Sequence, residues 1–467
     1  MNLTLRDAER ILLGQTDTDP GSDFAFRQVC TDSRAVEPGD LFVCIEGERF
    51  DGHLFASDAV RAGARAVVCS RLLELDAPML MVRDTVQALG LLARHCRDNA
   101  HARVVAVTGS AGKTTLKEML ASCLGRTMTV SKNAGNLNNQ IGLPLSIFRA
   151  DPESDAWILE IGISMPHDMD ELGPVAAPDL AVIHNIGPAH LEGLGDLRGV
   201  ALAKASLLKH LAPGGRGLVN ADHPLLLEEA RKIVPDVLCF STRDQENAYY
   251  CTFLGAEQDS RGRFLIRTPG FEIEAVLPYC GGHFAENIAA AAAVSHLMGV
   301  APAEMIAGIG SARLPGQRFA CRERDGVTLI DDTYNANPLS MHGAVETARH
   351  MAGSYSPRRP LVLVLGDMKE LGSHAAEAHE ELGRQLRDVA PAAVFFHGEH
   401  AGNVARGLGD ADLRVEPLSS PEQLLRRWRE MSLAQAVVLF KGSRSCRMEL
   451  YAGALNKELD NGHGDRG

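Results

Sequence analysis

The sequence predicts an α/β protein of three domains: a small mixed α/β N-terminal domain, a central parallel-sheet domain and a C-terminal Rossmann-like domain. The chain has 467 residues, the length of about three domains of ordinary size. From residue 102 onward, short apolar runs alternate with helical patterns, which is typical of parallel strands covered by helices on both faces. We place the domains at residues 1–100, 101–313 and 314–467.

The elements of the first two domains follow from local patterns. Strand-like runs at 40–46 and 65–70 are separated by turn-rich segments such as EPGD and ERFDGH, which predicts a small mixed domain. In the central domain the apolar run ARVVAV is followed by the glycine-rich segment TGSAGKTT and by LKEMLASCLG, whose apolar positions repeat at helical spacing. Further elements are predicted as strands at 156–161 and 179–185, and as helices at 197–211 and 284–299.

The last part of the chain returns to alternating strands and helices. Strands are predicted at 327–331, 361–367, 392–398 and 436–442, and a helical pattern such as that at 374–390 separates one from the next. This order predicts a second doubly wound unit of the Rossmann type.

Composition excludes several classes of protein. Apolar residues make up 45% and charged residues 23% of the chain, which excludes a wholly disordered or collagen-like protein. The net charge of −13 argues against a protein that coats nucleic acid or an anionic membrane. The sequence contains no apolar run long enough to span a bilayer, and its start lacks a secretion signal, so we expect a cytoplasmic protein. The ten dispersed cysteines form no paired motif and are expected to be reduced and mostly buried.

The segment TGSAGKTT, at 108–115, has the features of a phosphate-binding loop. It lies between a buried strand and a helix, which directs backbone N–H groups and the positive helix end toward a phosphate. Gly109 and Gly112 permit close approach, Lys113 supplies a charge for the β and γ phosphates, and Thr114 offers a hydroxyl to Mg²⁺. The loop is shorter than the strict GxxxxGK[ST] pattern, and the alternative is a glycine-rich turn with an exposed lysine. The nucleotide-binding residues predicted in it are Gly109, Ser110, Ala111, Gly112, Lys113, Thr114 and Thr115.

This short loop resembles that of the Mur ligases and the folylpolyglutamate synthetases, which form amide bonds at the expense of ATP. TDSR and PGDLFVCIEGERFDGH resemble the first domain of the murein-peptide ligases. The resemblance continues through the motifs NAGNLNNQIGLPLSI, NIGPAHLE, PGQRF, DDTYNANP, LGDMKELG and FKGSR. These motifs, in this order, are most similar to those of the members that act on UDP-N-acetylmuramoyl-tripeptide.

Three residues are candidate metal ligands beside Thr114. Glu160 ends the apolar run WILE, at the edge where parallel sheets bind ligands, and a hard cation prefers such an oxygen; the alternative is a carboxylate that caps a helix or pairs with a base. His190 follows a strand and, unless it is an ordinary loop residue, the resemblance implies that it binds a second Mg²⁺. Lys204 lies on an apolar-rich helix, where a lysine normally extends to solvent. The resemblance implies instead a carbamylated lysine that binds metal, although Ser206 stands where many relatives have an acidic residue.

Three further residues are assigned to ATP by the resemblance. Asn287 is expected to contact the adenine, Arg318 to reach the γ-phosphate from the third domain, and Asp332 to bind the ribose. The alternatives are a helix-start amide for Asn287 and a surface arginine for Arg318.

The UDP-linked substrate is assigned to two segments. The resemblance implies that Asp32, Ser33 and Arg34 contact its UDP end. A loop with three amides offers uncharged hydrogen bonds to its diphosphate, unless the loop is merely rich in turn formers. These amides are Asn136, Asn138 and Asn139.

The activity implied is the ATP-dependent joining of D-alanyl-D-alanine to UDP-N-acetylmuramoyl-tripeptide through an acyl phosphate, in the synthesis of the peptidoglycan precursor. Lys113, Lys204, His190 and Arg318 would be the catalytic residues, with two Mg²⁺ ions, and the protein would be a monomer. One alternative is the ligase that adds the third amino acid, whose diaminopimelate-adding form carries a DNPR signature that this sequence lacks. Another is a nucleotide-binding protein without ligase activity.

Overall fold

The computed structural model describes residues 3–461 except 17, 48–49, 258–259 and 410–412. The first sheet has four parallel strands in the order β1-β2-β3-β4, with β2 and β3 fully buried. The strands are β1 (Val29–Cys30), β2 (Leu41–Val43), β3 (Ala66–Cys69) and β4 (Met79–Met81), and the helices of this part are α1 (Leu5–Leu13), α2 (Ala56–Ala62) and α3 (Thr85–Asp98).

The central sheet has six parallel strands in the order β10-β9-β8-β5-β7-β6. They are β5 (Arg103–Thr108), β6 (Val130–Lys132), β7 (Ala156–Glu160), β8 (Leu180–Ile183), β9 (Arg216–Asn220) and β10 (Leu238–Phe240). Helices connect them: α4 (Lys113–Leu124), α5 (Gly142–Arg149), α6 (Asp168–Ala176), α7 (Leu191–Leu194), α8 (Leu197–Ala205) and α9 (Pro224–Ile233). The middle strands β8, β5 and β7 are almost wholly buried, as expected for strands covered on both faces.

A small antiparallel sheet, absent from the sequence prediction, follows the central sheet. Its strands are β11 (Tyr250–Ala256), β12 (Gly262–Thr268) and β13 (Phe271–Leu277). On β12, residues Phe264 and Ile266 are buried while their neighbours are more exposed, so one face packs inward, against α10 (Gly282–Leu297). Helix α11 (Pro302–Ser311) comes next.

The last sheet has the order β14-β15-β19-β16-β17-β18, and only the pair β14 and β15 is antiparallel. Its strands are β14 (Ala320–Arg324), β15 (Val327–Asp332), β16 (Leu361–Gly366), β17 (Ala393–His397), β18 (Val415–Pro417) and β19 (Ala436–Lys441). The helices are α12 (Pro338–Ser354), α13 (Ala375–Val389), α14 (Ala401–Leu408), α15 (Pro421–Met431) and α16 (Glu449–Asn461).

The predicted α/β architecture is confirmed, and most predicted strands are present but shorter by one or more residues. The helix predicted at 197–211 is α8 followed by a 3₁₀ helix, Ser206–His210. All ten cysteines are free, and six of them are buried. Across the described part of the chain, no helix has the length and apolar character that crossing a membrane requires. The residue limits of the three domains stay a prediction.

Candidate active site

The glycine-rich loop connects β5 to α4 at the carboxyl edge of the central sheet. Gly112 has a φ of 74°, and a Cβ atom there would lie 2.9 Å from His184 Nε2 and 3.0 Å from Asn287 Oδ1. Only glycine fits this position without strain or collision. The first turn of α4 therefore presents its backbone N–H groups to the space above the sheet, as an anion site requires.

This space is a cleft of about 750 Å³ between the central and third domains. Most of the predicted site residues line it, and they come from both domains. They are residues 110–115, Asn136, Asn138, Asn139, Glu160, His190, Asn287, Arg318 and Asp332. The lining residues do not include Gly109, Lys204 or the segment Asp32, Ser33 and Arg34.

Positive charge converges on the cleft. The Lys113 ammonium donates a hydrogen bond to Gly109 O at 2.7 Å, and the Arg318 guanidinium lies 3.9 Å from the centre of the Tyr334 ring. Burial lowers the pKa of Lys113; Glu160 opposes this shift and Arg318 adds to it. A bound polyanion would relieve the repulsion between these cations, which favours a phosphate ligand over a surface role for Arg318.

Glu160 and Thr114 form a pair of oxygen donors beside the loop. The Thr114 hydroxyl donates to Glu160 Oε2 at 2.7 Å, and Asn138 Nδ2 donates to Glu160 Oε1 at 2.8 Å. Glu160 is only 2% exposed and Thr114 3%. Buried oxygen donors at a phosphate site fit the preference of Mg²⁺, so these residues suit the predicted ion.

Lys117, for which no role was predicted from the sequence, stabilises the two loops beside Thr114 and Glu160. It is fully buried one turn after Lys113 on α4, and its ammonium donates to Asn133 O (2.9 Å) and Gly135 O (3.0 Å). It also lies 3.7 Å from Glu160 Oε2. Lys117 thus joins the phosphate loop to the amide-rich loop. Its helical position gave no signal, because a lysine there ordinarily reaches solvent.

Asn185 is a second missed residue. Its side-chain oxygen accepts hydrogen bonds from the amides of Ser110 (3.1 Å) and Ala111 (2.9 Å), and its nitrogen donates to Glu286 Oε2 at 3.0 Å. Glu286 lines the cleft, and burial raises its pKa to about 7. Asn185 opens the NIGPAHLE motif, which is the signal that could have identified it.

The third domain touches the phosphate loop directly. Asn337 caps α12 by accepting a hydrogen bond from Ser340 N at 2.9 Å, and its Nδ2 donates to Ser110 O, also at 2.9 Å. Residue Asn337 belongs to the DDTYNANP motif but carried no predicted role.

His190 and Lys204 lie near the same edge in different surroundings. His190 Nδ1 is 2.6 Å from Glu370 Oε2 of the third domain. Lys204 is 1% exposed; its burial, with a smaller effect of the Lys113 charge, lowers its pKa well below the ordinary value. The solvent-facing alternative for Lys204 is therefore wrong. Groups of three or more His, Cys, Asp or Glu that could hold a metal are absent from the described residues.

Asn287 and Asp332 have different partners. Asn287 lies inside α10 and not at its start, so the helix-start alternative is wrong. Its Nδ2 donates to His283 O at 3.0 Å, while its buried Oδ1 has no hydrogen-bond partner, which suits a ligand donor. Asp332 Oδ2 accepts from Lys441 Nζ at 2.6 Å.

The residues predicted at the UDP end are locally satisfied. Asp32 accepts hydrogen bonds from the Arg34 side chain at 2.9 and 2.7 Å, which lower the pKa of Asp32 to about 2. Ser33 begins the 3₁₀ helix that follows. Asn139 Oδ1 accepts from Gly142 N at 2.8 Å, so this amide has the turn-forming role of the alternative. Residues 48–49 of the GERFDGH motif lie outside the described residues.

Three family models match consecutive parts of the chain. They are described as the Mur ligase family catalytic domain (residues 25–97), the Mur ligase middle domain (107–295) and the Mur ligase glutamate ligase domain (317–444). A relative from Escherichia coli (strain K12), UDP-N-acetylmuramoyl-tripeptide--D-alanyl-D-alanine ligase, is 35% identical over 98% of this chain and 99% of its own. The chain belongs to the Mur ligase family.

Solved structures of Mur ligases share the whole architecture. MurF from Acinetobacter baumannii superimposes with a TM-score of 0.85 and 28% identity, over 98% of this chain and 96% of its own. MurF ligase from Thermotoga maritima, solved in complex with ADP, gives a TM-score of 0.82 and 30% identity over 93% and 98%. The three-domain α/β fold predicted from the sequence is therefore confirmed, as is the resemblance to the Mur ligases.

Proposed function

We propose that this Mur ligase joins D-alanyl-D-alanine to UDP-N-acetylmuramoyl-tripeptide with hydrolysis of ATP to ADP and phosphate, which completes the peptide of the peptidoglycan precursor. The full-length likeness to ligases of that name supports this substrate pair. The observation that carries the proposal is the cleft itself, in which the phosphate loop, the Thr114 and Glu160 pair and Arg318 of the third domain meet. ATP in the cytoplasm would supply the phosphoryl group.

The reaction has two steps. In the first, a carboxylate oxygen of the tripeptide forms a bond to the γ-phosphorus while the bond to the bridging oxygen breaks, so ADP leaves with that electron pair. In the second, the amine of D-alanyl-D-alanine attacks the acyl phosphate, loses a proton and displaces phosphate. Lys113 and Arg318 stabilise the charge that moves between the oxygens, because both cations border the cleft.

The residues that would hold Mg²⁺ fall into two groups. Thr114 and Glu160 would bind one ion, and His190 with carbamylated Lys204 a second. When bound, Mg²⁺ neutralises phosphate charge. Burial favours the neutral amine of Lys204. Its nitrogen would add to CO₂ and release a proton, giving an anionic carbamate whose oxygens replace the cation.

The remaining assignments follow from the family. Asn287 would contact the adenine and Asp332 the ribose. Asp332 would then give up part of its hydrogen bonding with Lys441. Asp32, Ser33 and Arg34 would bind the UDP end, with Asn136 and Asn138 near the diphosphate. We propose domain limits at residues 100 and 313, and a monomer.

The decisive experiment follows isotopic oxygen. The tripeptide substrate carries ¹⁸O in its terminal carboxylate, and the purified protein receives ATP, Mg²⁺ and D-alanyl-D-alanine. We expect phosphate release only when all are present, with one ¹⁸O atom in each phosphate. Release without ¹⁸O transfer would refute the acyl phosphate. Equal turnover with UDP-N-acetylmuramoyl-dipeptide and a single amino acid in place of these substrates would indicate the ligase that adds the third residue. ATP binding without turnover would indicate a nucleotide-binding protein.

A further inference from the structure

Glu370 contacts His190 across the boundary between the central and third domains. Its carboxylate lies 2.6 Å from His190 Nδ1, and a backbone hydrogen bond of 3.4 Å joins Glu192 N to Glu370 O beside it. His190 stands between β8 and α7, whereas Glu370 follows β16 in the LGDMKELG motif. The contact therefore exists only while the two domains are together.

Both residues have an unusual backbone. The φ angle is 54° at His190 and 65° at Glu370, in the left-handed region that residues other than glycine rarely adopt. Such conformations persist where the surrounding structure imposes them, and they cluster at functional sites. Two of them meet at this one contact, which distinguishes it from an ordinary ion pair between flexible side chains.

The loop that carries Glu370 is rigidly held before it meets the central domain. Asp367 is 1% exposed and accepts hydrogen bonds from Glu399 N (3.0 Å) and His400 N (3.1 Å). Lys369 N donates to Ser443 Oγ at 2.9 Å, and the Lys369 ammonium lies 2.9 Å from Asp367 Oδ2.

Apolar contacts hold the same loop. Met368 and Leu371, on either side of the Lys369–Glu370 dipeptide, are each 1% exposed. Met368 N also donates to the buried imidazole of His379 at 3.0 Å. The Glu370 carboxylate is therefore presented at a fixed place on the third domain, although the side chain itself is 60% exposed.

We propose that Glu370 is a positioning residue that orients the His190 imidazole when the third domain closes. It holds the proton on Nδ1 and leaves Nε2 as the lone-pair donor that faces a ligand. A carboxylate in this relation to a metal-binding histidine fixes the ring and the tautomer. This inference rests on the proposed function, because it gives His190 the role of a metal ligand there.

The first test compares the Mg²⁺ requirement of full-length variants. Glu370→Ala should raise the Mg²⁺ concentration for half-maximal phosphate release about tenfold, because outer partners of this kind contribute at least that much to metal affinity. The KM for ATP should stay within about twofold. Glu370→Gln retains an acceptor oxygen and should restore most of the loss. Glu399→Gln is the matched control, since that side chain is 83% exposed on the same loop cluster.

The second test needs no metal and no turnover. Protein labelled with ¹⁵N in histidine is examined by NMR without Mg²⁺, and the His190 signal is assigned as the one missing from His190→Gln. Wild type should show a hydrogen-bonded Nδ1–H, and Glu370→Ala should lose it. An identical tautomer and an identical Mg²⁺ requirement in Glu370→Ala would overturn the inference. If wild type forms no peptide bond between the two substrates, the proposed function is refuted instead. The NMR result would still decide whether Glu370 orients the His190 imidazole.

Discussion

Two pairs of candidate metal ligands, Thr114 with Glu160 and His190 with Lys204, are held in different ways. The first pair lies within the central domain, where the end of β7 and the start of α4 bring both side chains together at 2.7 Å. In the second pair, His190 takes its partner from the third domain, and Lys204 is a buried lysine for which we propose carbamylation. The first pair therefore forms within one domain, whereas the surroundings of the second pair depend on contact between two domains.

If both pairs bind Mg²⁺ as proposed, this difference would separate ATP binding from phosphoryl transfer. The first pair would then accept nucleotide before the third domain closes, since Glu160 ends β7 and Thr114 lies in the first turn of α4, both in the central domain. Phosphoryl transfer would require the second pair as well, which under the proposal needs both domain closure and carbamylation of Lys204. Because closure of a domain over a site also excludes water, this order would protect the proposed acyl phosphate from hydrolysis.

Loss of Lys113 should have the largest effect, since its charge acts on both pairs, on Glu160 and on Lys204. Lys113→Ala should lower kcat for phosphate release by about 100- to 1000-fold, the range for removal of one group that stabilises transition-state charge. The coupled phosphate assay measures this, with Lys209→Ala as the surface control. A loss below tenfold would contradict the role proposed for Lys113 in stabilising the transferred phosphate.

Loss of Lys204 separates the pairs. Lys204→Ala should lower kcat by about 100-fold, because the carbamate oxygens disappear. Short carboxylates such as acetate, added in bicarbonate-free buffer, should restore part of the rate by filling the vacated space. Nucleotide affinity, measured by calorimetry, should change little, since the first pair is intact. Unchanged activity in the variant would remove the carbamate from the mechanism.

Asn185 tests whether the first pair depends on the shape of the phosphate loop. Asn185→Ala removes the acceptor of two loop amides. The KM for ATP should rise about tenfold, the cost of one or two hydrogen bonds, while the Mg²⁺ requirement stays unchanged. Asn99→Ala, at the residue that follows α3, is the control. If the KM for ATP and the Mg²⁺ requirement both rise, the shape of the phosphate loop and the position of the metal ligands are not independent.

The smallest expected effect concerns Glu286, the partner of Asn185. Burial raises its pKa from 4.5 to about 7, so the folded state keeps a proton that the unfolded state releases between these values. Its contribution to the free energy of unfolding therefore falls as pH rises from 4.5 to 7. Glu286→Gln removes this loss. Its melting temperature should exceed that of wild type by about 2–4 °C at pH 7.5 and by less at pH 5.

Calorimetric scans at both pH values measure this difference. The control is Glu153→Gln, a substitution at an exposed position, which should leave the melting temperature equal to that of wild type at both pH values. A Glu286→Gln protein less stable than wild type at pH 7.5 would show that the hydrogen bond to Asn185 needs the carboxylate.

The site features predicted correctly from the sequence are those set by residues close together in the chain. The strand, loop and helix around Lys113 and the position of Glu160 at a strand end follow from local patterns, and the structure brings them together as expected. Lys117, Asn185 and Glu370 were missed because their partners lie far along the chain, and no periodicity reports which loop a side chain meets. The antiparallel sheet β11–β13 was also missed, although its strands pair with their immediate neighbours in the chain.

The side-chain amide of Asn337 joins two structures. Its oxygen caps the N-terminal end of α12, and its nitrogen donates a hydrogen bond to the carbonyl of Ser110. Because Asn337 belongs to the third domain and Ser110 to the phosphate loop, the two cannot separate here without breaking this hydrogen bond. If ADP binds at this loop as proposed, its release and the separation of the two domains should be measured as one rate, because both require that bond to break.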